Sequence, residues 1–113
     1  MIFQPELARL VLEGRKTVTR RLCSENPRSP WWRERCVYVE GKVFAVQPGR
    51  GKPSIGRARV VSCRKELLGL LTHEDAEQEG FADISEFMGA WRAINGRYLT
   101  HAMVWRIEFE VCS

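Results

Sequence analysis

Residues 15–21, Arg15-Lys16-Thr17-Val18-Thr19-Arg20-Arg21, pack four cations and two hydroxyls into seven positions, and no acid lies between Glu13 and Glu25. A surface loop normally mixes charge signs, so this run suits an anionic partner, phosphate first of all. It also carries the parts of a covalent reaction. A lysine whose pKa is lowered by burial or by neighbouring cations serves as a base for a threonine hydroxyl. Lys16 and Thr19 are three apart, and Arg15, Arg20 and Arg21 supply the neighbouring charge. On one straight strand the two would face opposite sides. A turn at Lys16 leading into a strand at Thr17 brings them together. Three readings of the run stand side by side: phosphate or nucleotide binding, catalysis by Lys16 and Thr19, and a solvated basic surface.

Glu79 is the other residue whose placement suggests chemistry. It falls at the expected carbonyl end of a short helix, where the macrodipole disfavours a carboxylate. Residues that break a local rule often serve a site. Glu79 either meets Lys16, orienting it or neutralising charge as an amide is cleaved, or pairs with an arginine of the first half.

The elements that must position these residues are legible from period and punctuation. Pro5 suits the first turn of a helix, and Leu7, Leu10 and Val11 make its apolar stripe, which runs to about Glu13. Gly14 stops that helix in a left-handed conformation. Thr17-Val18-Thr19 favours an extended chain. Ser24 to Pro30 is a loop by composition. Cys36 to Val39 reads as a strand, Gly41 as a turn, and Val43 to Val46 as the return strand. Ile55 to Cys63 is the longest strand candidate, with Arg57 and Arg59 on one face and Ala58 and Val60 on the other. Thr72-His73-Glu74-Asp75 outlines a capping box for a helix ending at Glu79-Gly80. Asp83 caps a second helix whose stripe, Ile84, Phe87, Met88, Trp91 and Ile94, reads as core. Gly96 ends it. Met103 to Val111 alternates as a final half-buried strand. Strands joined as hairpins without βαβ crossovers imply an α+β fold: a mixed or antiparallel sheet curled into a small barrel, with helices at its ends.

Further binding candidates follow from charge. Residues 1–65 hold 15 Lys/Arg and 5 acids, a net of +10, whereas residues 66–113 hold 3 and 9, a net of −6. A positive face results if the first half is contiguous in space. Arg50 and Lys52 sit in the glycine-bearing loop Gln47–Pro53, which lacks the spacing of a nucleotide-binding P-loop. Arg57 projects from the long strand. Trp31 and Trp32 stand among Arg28, Arg33 and Arg35 and suit base stacking. Being adjacent, they face opposite ways, one towards the core and one as a platform, for which Trp32 is the candidate.

Composition also excludes some functions. The four cysteines, Cys23, Cys36, Cys63 and Cys112, form no CxxC pair and lie far in sequence from His73 and His101, so no metal centre is expected. No cofactor motif is present. No secretory leader is visible at the start, and the longest apolar patch, Leu67 to Leu71, is too short to span a bilayer. A single cytoplasmic domain with reduced thiols, without membrane partners, is the expectation. The sequence leaves the oligomeric state open.

In chain order, Gly14 to Arg21, Val46 to Gly51, Leu71 to Phe81, Phe87 with Trp91, and Val104 to Phe109 span nearly the whole chain. Together they resemble the ASCH domain, a branch of the PUA-like superfamily. The resemblance implies a small PUA-like β-barrel with flanking short helices and a cleft, and RNA or a modified nucleoside as the ligand. One bacterial subgroup, the N4-acetylcytidine amidohydrolases, is similar in its proposed catalytic set of a lysine, a threonine three residues later and a glutamate. By motif these fall on Lys16, Thr19 and Glu79. Arg15, Arg20, Arg21, Arg50, Lys52, Arg57 and Trp32 make up the expected nucleic-acid-binding set. The chain departs from that subgroup in its longer Ser24–Arg35 loop and in the Gln47–Pro53 loop. A non-catalytic RNA-binding module and a ribonuclease using the same cleft are the alternatives. The sequence has no obvious histidine pair for the latter.

Overall fold

The computed structural model describes residues 1–112. Helix α1 (Pro5–Leu12) begins with Pro5 in its first turn, where the missing N–H costs nothing. Glu13 caps it, and Gly14 turns the chain at φ +76°. The basic run then enters strand β1 (Val18–Leu22), giving the expected sequence of helix, sharp turn and strand.

Strands β2 (Trp31–Trp32) and β3 (Arg35–Cys36) form a small separate hairpin. The expected strand from Cys36 to Val39 ends at Cys36. There the chain bends, with Tyr38 N–H donating to Cys36 Sγ at 3.4 Å and Val37 N–H to Pro30 O at 3.0 Å. The bend lets Tyr38 stack on Trp31, ring centroids 4.8 Å apart. Aromatic packing has displaced a continuation of the pairing.

Strand β4 (Val43–Val46) pairs antiparallel with β5 (Gly56–Leu67). The long strand is four residues longer at its far end than its apolar alternation suggests, because β6 (Met103–Val111) pairs along it as far as Leu67↔Met103. Arg57 and Arg59 are exposed and Ala58 and Val60 buried, as the alternation requires. A register shift between Val60 and Ser62 bends the strand. Adding β1 on the other side of β6 gives the order β1-β6-β5-β4, all antiparallel. The result is a curled half-barrel sheet in a small α+β domain.

After a 3₁₀ turn at Leu68–Leu70 comes helix α2 (His73–Gln78). Both bonds of its capping box are formed: Thr72 N–H to Asp75 Oδ2 at 2.8 Å and Asp75 N–H to Thr72 Oγ1 at 3.1 Å. Helix α3 (Ile84–Asn95) is capped by Asp83 and stopped by Gly96 at φ +82°.

Two apolar clusters flank the sheet. One gathers Phe3, Ala8, Val11, Phe44, Val60, Ile107 and Phe109 beneath α1 and the hairpin. The other gathers Leu68, Ala76, Phe87, Trp91 and Val104 beneath α2 and α3. The α3 stripe holds as core at Phe87 and Trp91. Ile94 departs from it, at 63% exposure, because it lies on the last turn, where α3 overhangs a cleft. No helix among the described residues is long and apolar enough to cross a membrane.

Candidate functional site

The ends of α1 and α2 are stitched together, and this stitch builds the site. Arg15 and Lys16 both donate their backbone N–H to Leu10 O, at 2.9 and 3.1 Å, and Thr17 N–H donates to Gln78 O at 2.9 Å. Gly80, at φ +98°, has Leu10, Leu7 and Lys16 where its Cβ would be, the nearest at 3.1 Å. A glycine is needed there both for its backbone angle and for that close approach. The result brings Lys16 and Glu79, 63 positions apart in sequence, into direct contact.

Lys16 Nζ donates three bonds: to Glu79 Oε1 at 2.9 Å, to Glu79 O at 2.8 Å and to Val18 O at 2.9 Å. An ammonium has three donors, and all are used. Lys16 and Glu79 are 2% and 3% exposed. Burial lowers the pKa of Lys16 from the ordinary lysine value. Glu79 opposes that shift, while Arg21 and Arg20 add to it.

The other oxygen of Glu79 is held as well. Arg20 Nη1 donates to Glu79 Oε2 at 3.1 Å. The same guanidinium donates to Glu66 Oε2 from Nε and Nη2, at 3.0 and 2.9 Å, and its Nη2 lies 3.3 Å from Asp75 Oδ1. Burial works against the charge of Arg20, but Glu79, Glu66 and Asp75 outweigh it and raise its pKa. The site is therefore an ordered chain of alternating charge, Lys16–Glu79–Arg20 with Glu66 and Asp75 behind. A buried charge is tolerable only when paired in this way.

The chain of charges forms one side of a cavity of about 570 Å³. Lys16, Thr19, Arg20 and Glu79 line it from below. Phe3, Arg21 and Trp31 line one side, and Trp91 and Ile94 of α3 another. Thr19 is 4% exposed and makes no side-chain hydrogen bond to another described residue, so its hydroxyl is free for a ligand. The Arg21 guanidinium carbon sits 5.3 Å from the ring centres of both Phe3 and Trp31, and Nη2 donates to Ile2 O at 2.8 Å. A cavity of this size, apolar with a few convergent polar groups, suits a small-molecule ligand.

Lys16, Thr19, Glu79 and Arg21 thus line one cavity, with Lys16 and Glu79 in direct contact. The structure separates them from the other candidates. Arg20 lines the cleft, but its side chain is fully enclosed and committed to three carboxylates, so it cannot grip phosphate as expected. Arg15 is exposed and faces Glu13 at 3.8 Å. Arg50 and Lys52 are exposed in the loop whose Gly49 reaches the cleft. Arg57 is exposed on β5, outside the cleft lining. Trp31, not Trp32, is the tryptophan of the cleft: the two project oppositely, and the stack on Tyr38 fixes which one turns inward.

Sequence reasoning missed Phe3, the α3 wall, and the carboxylates behind Arg20. Asp75 was visible only as a helix cap. Glu66 carried a signal, the lone acid of the outgoing basic strand Arg64-Lys65-Glu66.

No family model matches the chain, and no curated protein matches it. Among solved structures, the ASCH domain from Lactobacillus crispatus JV V101 superposes with a TM-score of 0.75 at 16% identity, over 94% of this chain and 70% of that one. Protein EF3133 from Enterococcus faecalis V583 gives 0.68 at 18% identity, over 94% and 69%. A point mutant of ZmASCH from Zymomonas mobilis gives 0.61 at 15%, over 97% and 66%. At such identities the likeness establishes the fold, which is that of ASCH-domain structures.

Proposed function

We propose that the cleft binds the base of an RNA nucleotide or free nucleoside, and that Lys16, Thr19 and Glu79 hydrolyse an N-acyl amide carried on it, as in N4-acetylcytidine. The observation that carries the reading is that Thr19 lines the same cavity as the directly bonded pair Lys16 and Glu79. Its aromatic sides suit a heterocycle, and the ASCH-type fold is in keeping with it.

The reaction divides into two steps. In the resting site Lys16 Nζ lies 2.9 Å from Glu79 Oε1. The reactive form is the neutral amine, which burial favours. As Thr19 Oγ1 bonds to the acyl carbon, its proton passes to Lys16 Nζ. The C–N bond breaks, and Lys16 returns that proton to the departing exocyclic nitrogen of the base. Water then adds to the threonine ester with Lys16 again taking the proton, releasing the carboxylic acid and restoring the hydroxyl. Glu79 holds Lys16 in place through Oε1, and Arg20 holds Glu79 through Oε2.

The test is incubation with N4-acetylcytidine and chromatographic detection of cytidine and acetate. Cytidine release by the native chain, lost in Thr19→Ala, is expected. One observation favours a second reading, that of a binding module without chemistry: all three Lys16 donors are satisfied within the chain. Intact N4-acetylcytidine, together with nucleotide binding that Trp31→Ala weakens, would establish that reading instead.

A further inference from the structure

A second cavity, of about 390 Å³, shares no lining residue with the cleft. Cys36 of β3 and Cys63 of β5 both line it, together with Trp105 of β6. Cys36 is a buried member of the main apolar cluster, and Cys63 packs against that cluster. Tyr38 N–H also donates to Cys36 Sγ at 3.4 Å. The pair spans two sheets of the molecule, Cys36 lying on β3 and Cys63 on β5. The β2–β3 hairpin is a sheet of its own. It is tied to the main sheet by Trp105 Nε1, which donates to Trp31 O at 3.2 Å and Trp32 O at 3.1 Å, and by Arg21 over the Trp31 ring.

We propose that Cys36 and Cys63 are an oxidisable dithiol, which a peroxide converts to a disulfide that staples the tryptophan hairpin to β5.

The roles of the two sulfurs follow from their surroundings. The Cys63 thiol, the Tyr38 N–H and Lys42 stabilise a thiolate on Cys36 and, against burial, bring its pKa down to about 7. The Cys63 thiol is pushed up by the neighbouring Cys36 and by burial, and keeps its proton. A thiolate at neutral pH is the nucleophile. The Cys36 thiolate attacks one oxygen of hydrogen peroxide, the O–O bond breaks, and hydroxide leaves and is protonated to water. Cys36 is then a sulfenic acid. Cys63 attacks the sulfenic sulfur, its proton leaves with the hydroxyl as a second water, and the S–S bond forms. The two sulfurs together lose two electrons and the peroxide gains them. Hydrogen peroxide is close to water in size, and the cavity admits it. Cys23 lies near enough to be affected by the charge of Cys36, but burial, its largest influence, raises its pKa. Cys112 lies beyond the end of β6, its N–H bonded to Arg57 O. Because the hairpin carries Trp31 into the cleft, the staple would fix one of the cleft's sides.

The full chain is treated with hydrogen peroxide, its remaining thiols are alkylated, and non-reducing peptide maps are read by mass spectrometry. The expected result is one link between the peptides bearing Cys36 and Cys63, two alkylated thiols at Cys23 and Cys112, and reversal by dithiothreitol. Cys23→Ser and Cys112→Ser keep the link, and Cys63→Ser and Cys36→Ser lose it. Cys36→Ser places a hydroxyl in a buried site, so Cys36→Ala is read in parallel. Oxidised native chain melts at a higher temperature than reduced, and trypsin cuts more slowly at Arg33 and Arg35. A link from Cys36 to Cys23, four alkylatable thiols after peroxide, or a sulfinic acid on Cys36 with no link overturns the proposal. A correct link with unchanged melting and trypsin rates overturns the staple.

Discussion

Lys16 and Arg20 come from the same basic half of the chain as Arg50, Lys52 and Arg57, and the fold treats them in opposite ways. The first two are buried, and their hydrogen bonds converge on Glu79, Glu66, Asp75 and backbone carbonyls. The other three are exposed and make no ion pair among the described residues. Exposed charges of this kind are well solvated and contribute little to stability, but they remain available to a polyanion. Buried charges are coupled to one another and to the packing of α1 against α2. The comparison teaches that local cation density marks where charge accumulates, and burial decides whether that charge is chemistry, structure or surface.

The largest expected effect lies in the buried group. Lys16→Ala, Thr19→Ala and Glu79→Ala should each lower deacylation of N4-acetylcytidine by about 10²- to 10⁴-fold, the range for losing a positioned acid–base group. Double variants should be hardly worse than singles, since residues acting as a unit lose activity non-additively. Steady-state kinetics on the purified variants checks this. Arg50→Ala under the same assay should change kcat little. Equal losses from both groups would dissolve the distinction between them.

Stability separates the same two groups by a smaller margin. Arg20→Ala leaves Glu79, Glu66 and Asp75 facing one another without their shared cation. Breaking a buried pair from one side costs about 3–5 kcal/mol, and chemical denaturation should show a loss of that order. Trp91→Ala, which empties a large aromatic site beneath α3, belongs in the same range of about 3–5 kcal/mol. Arg57→Ala should stay within about 0.5 kcal/mol, as surface changes do.

Binding to single-stranded RNA inverts the order. Arg50→Ala, Lys52→Ala and Arg57→Ala should each weaken binding to a labelled oligonucleotide. Each should also make its salt dependence shallower, by about 0.7 in log–log slope for every phosphate that is no longer neutralised. Titration at several salt concentrations reads that slope. A slope unchanged in the triple variant would mean that the exposed cations are solvated surface only. In that case the ligand of the cleft is a free nucleoside.

How far the sequence could be read divides along the same line. The helices were legible because their signals are local: Pro5, the Thr72–Asp75 box, Asp83, Gly96. The rule broken by Glu79 left two partners open, Lys16 and an arginine of the first half; the fold supplies both, Lys16 and Arg20, and Gly80 permits the first. The fate of Arg20 was not legible. Its neighbours on the chain are cations, while its partners lie 46, 55 and 59 positions away in the other half. Charge counting along the sequence therefore placed it on a phosphate-gripping face. Trp31 and Trp32 show the same limit. Adjacency dictated that they diverge, but only Tyr38, brought back by a bend, decides which one faces the cleft.

The finest test of the comparison is the proton on Lys16. Burial lowers its pKa below the ordinary lysine value, which is the value it regains in the unfolded chain. Between the folded pKa and that ordinary value, the unfolded chain binds a proton that the native chain does not. Stability therefore rises with pH through this window and falls as pH drops back through it. Deacylation should rise as pH climbs through the folded pKa and level off beyond it, because the neutral amine is the base. Lys16→Met should accordingly flatten the alkaline rise in unfolding free energy, while Lys52→Met leaves it in place. Urea unfolding at a series of alkaline pH values resolves the difference. If stability instead declines above the ordinary lysine value in the native chain and the decline disappears in Lys16→Met, then Glu79 has outweighed burial. Lys16 would then be a fixed ammonium, and the cleft would hold its ligand by charge without a base to activate Thr19.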